Sequence, residues 1–139
     1  MFDQCLYFNV NRLSRSLNTV WDQAFKKAGL SPAQAYILRY VCQQPGIQQG
    51  QIASEFGLEK STVVRFIDAL EKQGLLLRVR GDGDKRAVSI QPSKQGKAKS
   101  KELERIAASL YAKMSELMGS SKLSSFVKQS RKLDEQIKS

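Results

Sequence analysis

With 139 residues the chain suits one compact domain; its 41% hydrophobic and 26% charged residues match a folded, water-soluble protein rather than a disordered one. No apolar run approaches the roughly 20 residues that a membrane-spanning helix needs, and the opening Met-Phe-Asp-Gln-Cys lacks the pattern of a secretory signal, so a cytoplasmic location without membrane contact is expected. Lys and Arg total 23 against 13 Asp and Glu, a formal charge of +10 that favours a polyanionic partner. Histidine is absent, which removes imidazole acid–base catalysis, histidine-dependent nucleophiles and imidazole metal ligands. Two widely separated cysteines, Cys5 and Cys42, cannot build a cysteine-rich zinc site, so neither an enzyme, a metal nor a cofactor is expected.

Apolar residues recur at helical spacing from Asp3 to Ala28, at Leu6, Val10, Leu13, Leu17, Val20 or Trp21, and Ala24, and Gly29 ends the pattern. Ser31-Pro32 supplies an N-cap and a first-turn proline for a second helix, with Ile37, Leu38 and Val41 inward and Pro45-Gly46 as its stop. A short helix over Gln48–Phe56 directs Ile52, Ala53 and Phe56 to one side. Gly57 breaks it, Leu58 is expected inward, and a longer helix follows over Lys60–Gln73. Small Ala53, then Gly57, then Val63 is the spacing that two closely crossing helices and a sharp turn require. Leu77-Arg78-Val79-Arg80 and Ala87-Val88-Ser89-Ile90-Gln91 alternate as strands, and Gly81-Asp82-Gly83-Asp84 between them is a turn, so a β-hairpin with a charged tip is expected. A long helix over Lys94–Leu117, in phase at Leu103, Ile106, Leu110, Met114 and Leu117, precedes a break at Gly119-Ser120-Ser121. A last helix over Leu123–Ile137 carries Phe126, Leu133 and Ile137.

The Lys60–Gln73 helix separates into two faces. Val63, Phe66, Ile67 and Leu70 follow the buried rule; Ser61, Arg65, Asp68 and Lys72 lie opposite. A face opening on Lys60, Ser61, Thr62 and Arg65 suits a DNA major groove, where Arg takes guanine in a bidentate contact and hydroxyls reach bases or phosphates. An ordinary solvated face would explain any one of these residues alone. Arg78 and Arg80 on the hairpin, with Lys85 and Arg86 past its tip, form a second basic element fit for a flanking minor groove. Asp84 is placed to position Arg86, which could instead pair with Asp84 or Asp68 and only stiffen the hairpin.

These residues resemble the MarR family of bacterial transcription regulators. The likeness rests on Ser31-Pro32-Ala33-Gln34, Gln51-Ile52-Ala53, the run from Lys60 to Leu75, the wing signature Asp84-Lys85-Arg86, and Gly96 in the following helix. Val64 stands where many relatives carry Thr or Ser, and Pro92-Ser93 replaces the usual Leu-Thr. The resemblance implies a mainly α fold with a small β-hairpin: a winged helix-turn-helix over 31–92, with dimerisation helices over 1–28 and 94–139. It further implies a homodimeric repressor that acts on double-stranded DNA at a roughly palindromic operator. Release by a small aromatic ligand or by thiol oxidation is implied as well. Cys5, at the amino end of the first helix, is the possible redox residue, although it falls about half a turn from the cysteine of the peroxide-sensing relatives. Cys42 is expected to be core, and Trp21, Phe25, Tyr36, Arg39 and Tyr40 either line a pocket or simply pack. The alternative is a basic module that binds nucleic acid without sequence preference or docks a partner.

Overall fold

The computed structural model describes residues 1–81 and 88–139, so the expected hairpin tip with Asp84, Lys85 and Arg86 lies outside the described residues. The order is α1 (Leu6–Lys26), α2 (Pro32–Gln43), β1 (Ile47–Gln48), α3 (Gln49–Phe56), α4 (Lys60–Lys72), β2 (Leu76–Arg80), β3 (Val88–Pro92), α5 (Lys94–Met118) and α6 (Ser120–Lys138). Two compact units are distinguished, Met1–Glu104 and Arg105–Ser139.

Local chemistry sets the boundaries in the first unit. α1 starts at Leu6 rather than Asp3, because the Asn9 side-chain amide donates to the carbonyls of Phe2, Asp3 and Cys5 and holds a turn ahead of the helix. Ser31 caps α2 in a full capping box. Its hydroxyl accepts the Gln34 N–H at 3.2 Å, and the Gln34 side chain accepts the Ser31 N–H at 3.1 Å. Ile52 and Ala53 of α3 and Val63, Ile67 and Leu70 of α4 are buried with Ile37, Leu38 and Val41 of α2. Phe66 and Leu58, both expected inward, are only half-buried. Phe66 lies one position before the fully buried Ile67, at the edge of the stripe that α4 turns inward.

The sheet has the order β1-β3-β2 and is antiparallel throughout, with Ile47 opposite Ile90, Arg78 opposite Ile90 and Arg80 opposite Val88. β1 is an addition to the expected hairpin. Two residues after Pro45-Gly46 are too short for an alternation to register, yet the Gly46 N–H already reaches the Ile90 carbonyl at 2.9 Å.

A dense junction joins α4, the sheet and α5. Ser93 donates its hydroxyl hydrogen to the Gly74 carbonyl at 2.6 Å and accepts the Gly96 N–H at 2.9 Å, so one side chain both caps α5 and ties it to the end of α4. The Ser93 N–H meets the Leu75 carbonyl at 3.1 Å. At Gly96 a Cβ would overlap that same carbonyl oxygen and press on Leu38.

In the second unit α6 begins at Ser120, three residues earlier than expected. Gly119, at φ +90°, is the whole break, and Ser120-Ser121 already form the first turn. No residue of α6 is buried; Phe126, Leu133 and Ile137 are all exposed. Of the residues expected in phase on α5, Leu103 and Leu110 are buried, and Leu117 is exposed.

Gly96→Ala should destabilise the fold by about 2 kcal/mol or more, since the overlapping atom is backbone and cannot swing away. Urea unfolding followed by circular dichroism measures it; a loss below about 0.5 kcal/mol would mean that α5 shifts freely on Leu75.

Candidate nucleic-acid interface

The two helices of the expected pair are joined by Gly57, whose φ of +63° lies in the left-handed region that a side chain disfavours. The Leu58 N–H reaches back to the Ala53 carbonyl at 3.0 Å, closing the turn. Ala53 is buried one turn before Gly57 and Val63 in the first turn of α4, so the Ala, Gly, Val spacing works as a mechanical device. It delivers α4 with Lys60, Ser61, Arg65, Asp68 and Lys72 exposed and Thr62 half-buried. The Lys60 stem passes over Gly50 in α3, 3.8 Å from where a Cβ would sit, so the amino ends of both helices contribute to one surface. Val64 is exposed between Thr62 and Arg65, an apolar group on an otherwise polar face.

Arg78 and Arg80 share a face of β2, as the alternation requires, but they do different things. Arg80 is exposed. Arg78 turns back onto α4: its Nη2 lies 2.6 Å from Asp68 and its Nη1 2.9 Å from Glu71. The Arg78 backbone N–H donates to the other Glu71 oxygen at 3.3 Å, and Nη2 also meets the Val64 carbonyl at 3.5 Å. The expectation of an outward Arg78 is therefore corrected: two carboxylates one turn apart on α4 satisfy its guanidinium. Asp68, considered above for Arg86, pairs with Arg78; Arg86 lies outside the described residues. Glu71 was the residue that sequence reasoning missed: its i, i+3 spacing from Asp68 is visible in the sequence, but its partnership with Arg78 depends on how β2 packs on α4.

The remaining candidates are dispersed. Cys5 is exposed at the N-cap of α1. Cys42 is half-buried, its thiol 3.9 Å from the Gly96 carbonyl; burial pushes the thiol pKa up, with Glu104 adding to the rise and Ser100 and Lys97 opposing it. The aromatic group near α2 is mostly packing. Phe25 is fully buried with its ring edge-on to Tyr36 at 5.8 Å, Tyr40 meets Phe56 at 5.6 Å, and Trp21 donates to the Tyr36 hydroxyl at 3.2 Å. Arg39 stacks over Tyr36 at 5.2 Å, and its Nε is buried with no hydrogen-bond partner among the described residues. The described residues contain no group of three metal-ligating side chains, and none of their helices is long and apolar enough to cross a membrane.

Residues 28–87, the helix-turn-helix and wing segment, match the MarR family profile. That match spans less than half of the chain, and the likeness to the MarR family is carried by this segment. Members of that family are transcription regulators and not enzymes. The chain is similar to the uncharacterized HTH-type transcriptional regulator YybA of Bacillus subtilis, 26% identical over 88 residues. That match covers 63% of this chain and 59% of YybA, less than two thirds of the relative's length. The fold is shared with a MarR family regulator from Listeria monocytogenes complexed with 26-mer DNA, at a TM-score of 0.85 and 20% identity, covering 96% of this chain and 89% of the other. It is shared too with the transcriptional repressor CouR bound to a 23-mer DNA duplex, at a TM-score of 0.90 and 22% identity, covering 96% and 94%.

The two thiols should separate cleanly in alkylation by iodoacetamide. Cys5 is expected to react first because it is exposed. Cys42 should lag and should accelerate only at a higher pH than an ordinary thiol, because its raised pKa keeps it protonated. Equal labelling of both at neutral pH, read by peptide mass spectrometry, would contradict the burial of Cys42.

Proposed function

We propose that the chain is a sequence-specific, DNA-binding transcription regulator that acts as a homodimer, in the cytoplasm, on a roughly palindromic operator. The observation that carries this reading is the exposed α4 face with Lys60, Ser61 and Arg65, set at a fixed angle by Gly57. Lys60, Ser61, Thr62 and Arg65 are proposed to enter the major groove, and Arg80, with Lys85 and Arg86, to reach the flanking minor groove or its phosphates. Asp84 is proposed to position Arg86. Repression, rather than activation, is supported by the fold shared with the repressor CouR.

Dimerisation is supported by what the terminal helices leave uncovered. Leu6, Val10 and Leu13 of α1, and Phe126, Leu133 and Ile137 of α6, are exposed on strongly amphipathic helices. Contiguous exposed apolar stripes of that length mark surfaces that another surface covers in most soluble proteins. The segments 1–28 and 94–139 are accordingly proposed as the dimerisation helices around a DNA-binding portion over 31–92.

For release from DNA, a small aromatic ligand is favoured by Arg39. A buried N–H without a partner costs about 1–3 kcal/mol, which an acceptor on a ligand would recover. Oxidation of Cys5 is the second route, supported by its exposure.

Selection of bound duplexes from a random pool, with reductant and with peroxide, tests the reading. A palindrome of about 16–20 base pairs is expected, from two half-sites one helical turn apart. Enrichment of no sequence would leave a nonspecific basic module. Loss of binding under peroxide that Cys5→Ser restores would assign the redox route. On the recovered duplex, Arg65→Ala should cost about 1–3 kcal/mol and relax one position of the site. Equal loss on random DNA would reduce Arg65 to a phosphate contact.

A further inference from the structure

We infer that Arg78 is a positioning residue, which locks the wing strand to the recognition helix and takes no part in contacting DNA; this rests on the DNA-binding reading above. The geometry is a four-point attachment. Nη2 meets Asp68 at 2.6 Å and the Val64 carbonyl at 3.5 Å, Nη1 meets Glu71 at 2.9 Å, and the backbone N–H meets the second Glu71 oxygen at 3.3 Å. Val64, Asp68 and Glu71 occupy successive turns of α4, so a single guanidinium spans two helical turns.

Three features separate this attachment from an ordinary surface ion pair, which contributes little. The Arg78 side chain is only 22% exposed, against 59% for Asp68 and 41% for Glu71, so the cation is the sheltered member. The two carboxylates hold it from different turns, which fixes its plane as a single pairing does not. Finally, β2 is an edge strand, and Glu71 accepts from its main chain as well as from its side chain, so strand and helix are tied at the backbone.

The attachment also has an electrostatic consequence. Asp68 lies on the same exposed face as Ser61, Arg65 and Lys72, where an unneutralised carboxylate would repel phosphates. Arg78, shared with Glu71, offsets part of that charge from beside the face and holds the carboxylate in place. β2 and α4 thus approach DNA as one body, with the Asp68 carboxylate drawn toward Arg78.

The test uses the full chain and the duplex that it enriches from a random pool, with three variants: Arg78→Gln, Asp68→Asn with Glu71→Gln, and all three together. Arg78→Gln is expected to weaken binding about tenfold, with the slope of log K against log salt unchanged. The carboxylate variant is expected to weaken binding too, even though it removes two negative charges, and the triple variant should add almost nothing to either. A slope lowered by about one for Arg78→Gln would overturn the inference and make Arg78 a phosphate contact. Tighter binding by the carboxylate variant, with an additive loss in the triple, would do the same. Should no duplex be enriched, the regulator reading fails by itself and the lock is judged on the free protein. Amide exchange over Leu76–Arg80 should then quicken in Arg78→Gln relative to the buried amides of α2, and unchanged exchange there would sink the lock.

Discussion

The first unit depends on how α4 is held at its two ends. At the amino end Gly57 sets the entry angle, and its left-handed backbone leaves the chain one path from α3 into α4. At the carboxyl end three groups meet within a few residues: the Gly74 carbonyl, the Leu75 carbonyl and the Ser93 side chain. Gly96 lets the α5 backbone lie directly on Leu75, so α5 and the last turn of α4 share a boundary with no side chain between them. A recognition helix gains specificity only if its side chains arrive within a fraction of an ångström of the same place each time. Pinning both ends achieves that with two glycines and one serine, and leaves the exposed face between them free for polar residues.

Charge is organised around the same helix. A surplus of +10 produces attraction to any polyanion, and by itself it carries no sequence information. Specificity requires that some charges be withdrawn from the surface and spent on geometry. Arg78 is withdrawn in this way by Asp68 and Glu71, whereas Arg65 and Arg80 remain exposed. Counting basic residues near a proposed interface therefore overstates the contacts, and the acidic neighbours decide which arginines are available.

Much of this was legible from residue order. Ser31-Pro32, Gly57 and Gly74 mark their boundaries because capping and positive φ are properties of single residues, and the two faces of α4 follow from helical period alone. Three things were not legible, each for a physical reason. β1 is two residues long and gains its identity only by pairing with β3. The partner of Arg78 depends on which face of β2 lies against α4, a tertiary fact, so alternation correctly put Arg78 and Arg80 on one face and could not say that only one is exposed. The start of α1 shifted because Asn9 prefers local carbonyls, a competition that apolar spacing does not register.

The exposure of the terminal helices follows from the same economy. α2, α3 and α4 close a core around Ile37, Leu38, Ile52 and Ile67 without help from the first half of α1. That half nonetheless keeps Leu6, Val10 and Leu13 in helical phase, and α6 keeps Phe126, Leu133 and Ile137 without burying any residue. Each of these side chains is 40–73% exposed and so forgoes part of the roughly 1.5–3 kcal/mol that full burial contributes. Such stripes on helices that the core does not need favour a covering surface of matching length. In the proposed homodimer a second copy of the chain would supply such a surface with its own stripes, and a two-fold axis would repeat the pinned α4 at a fixed spacing.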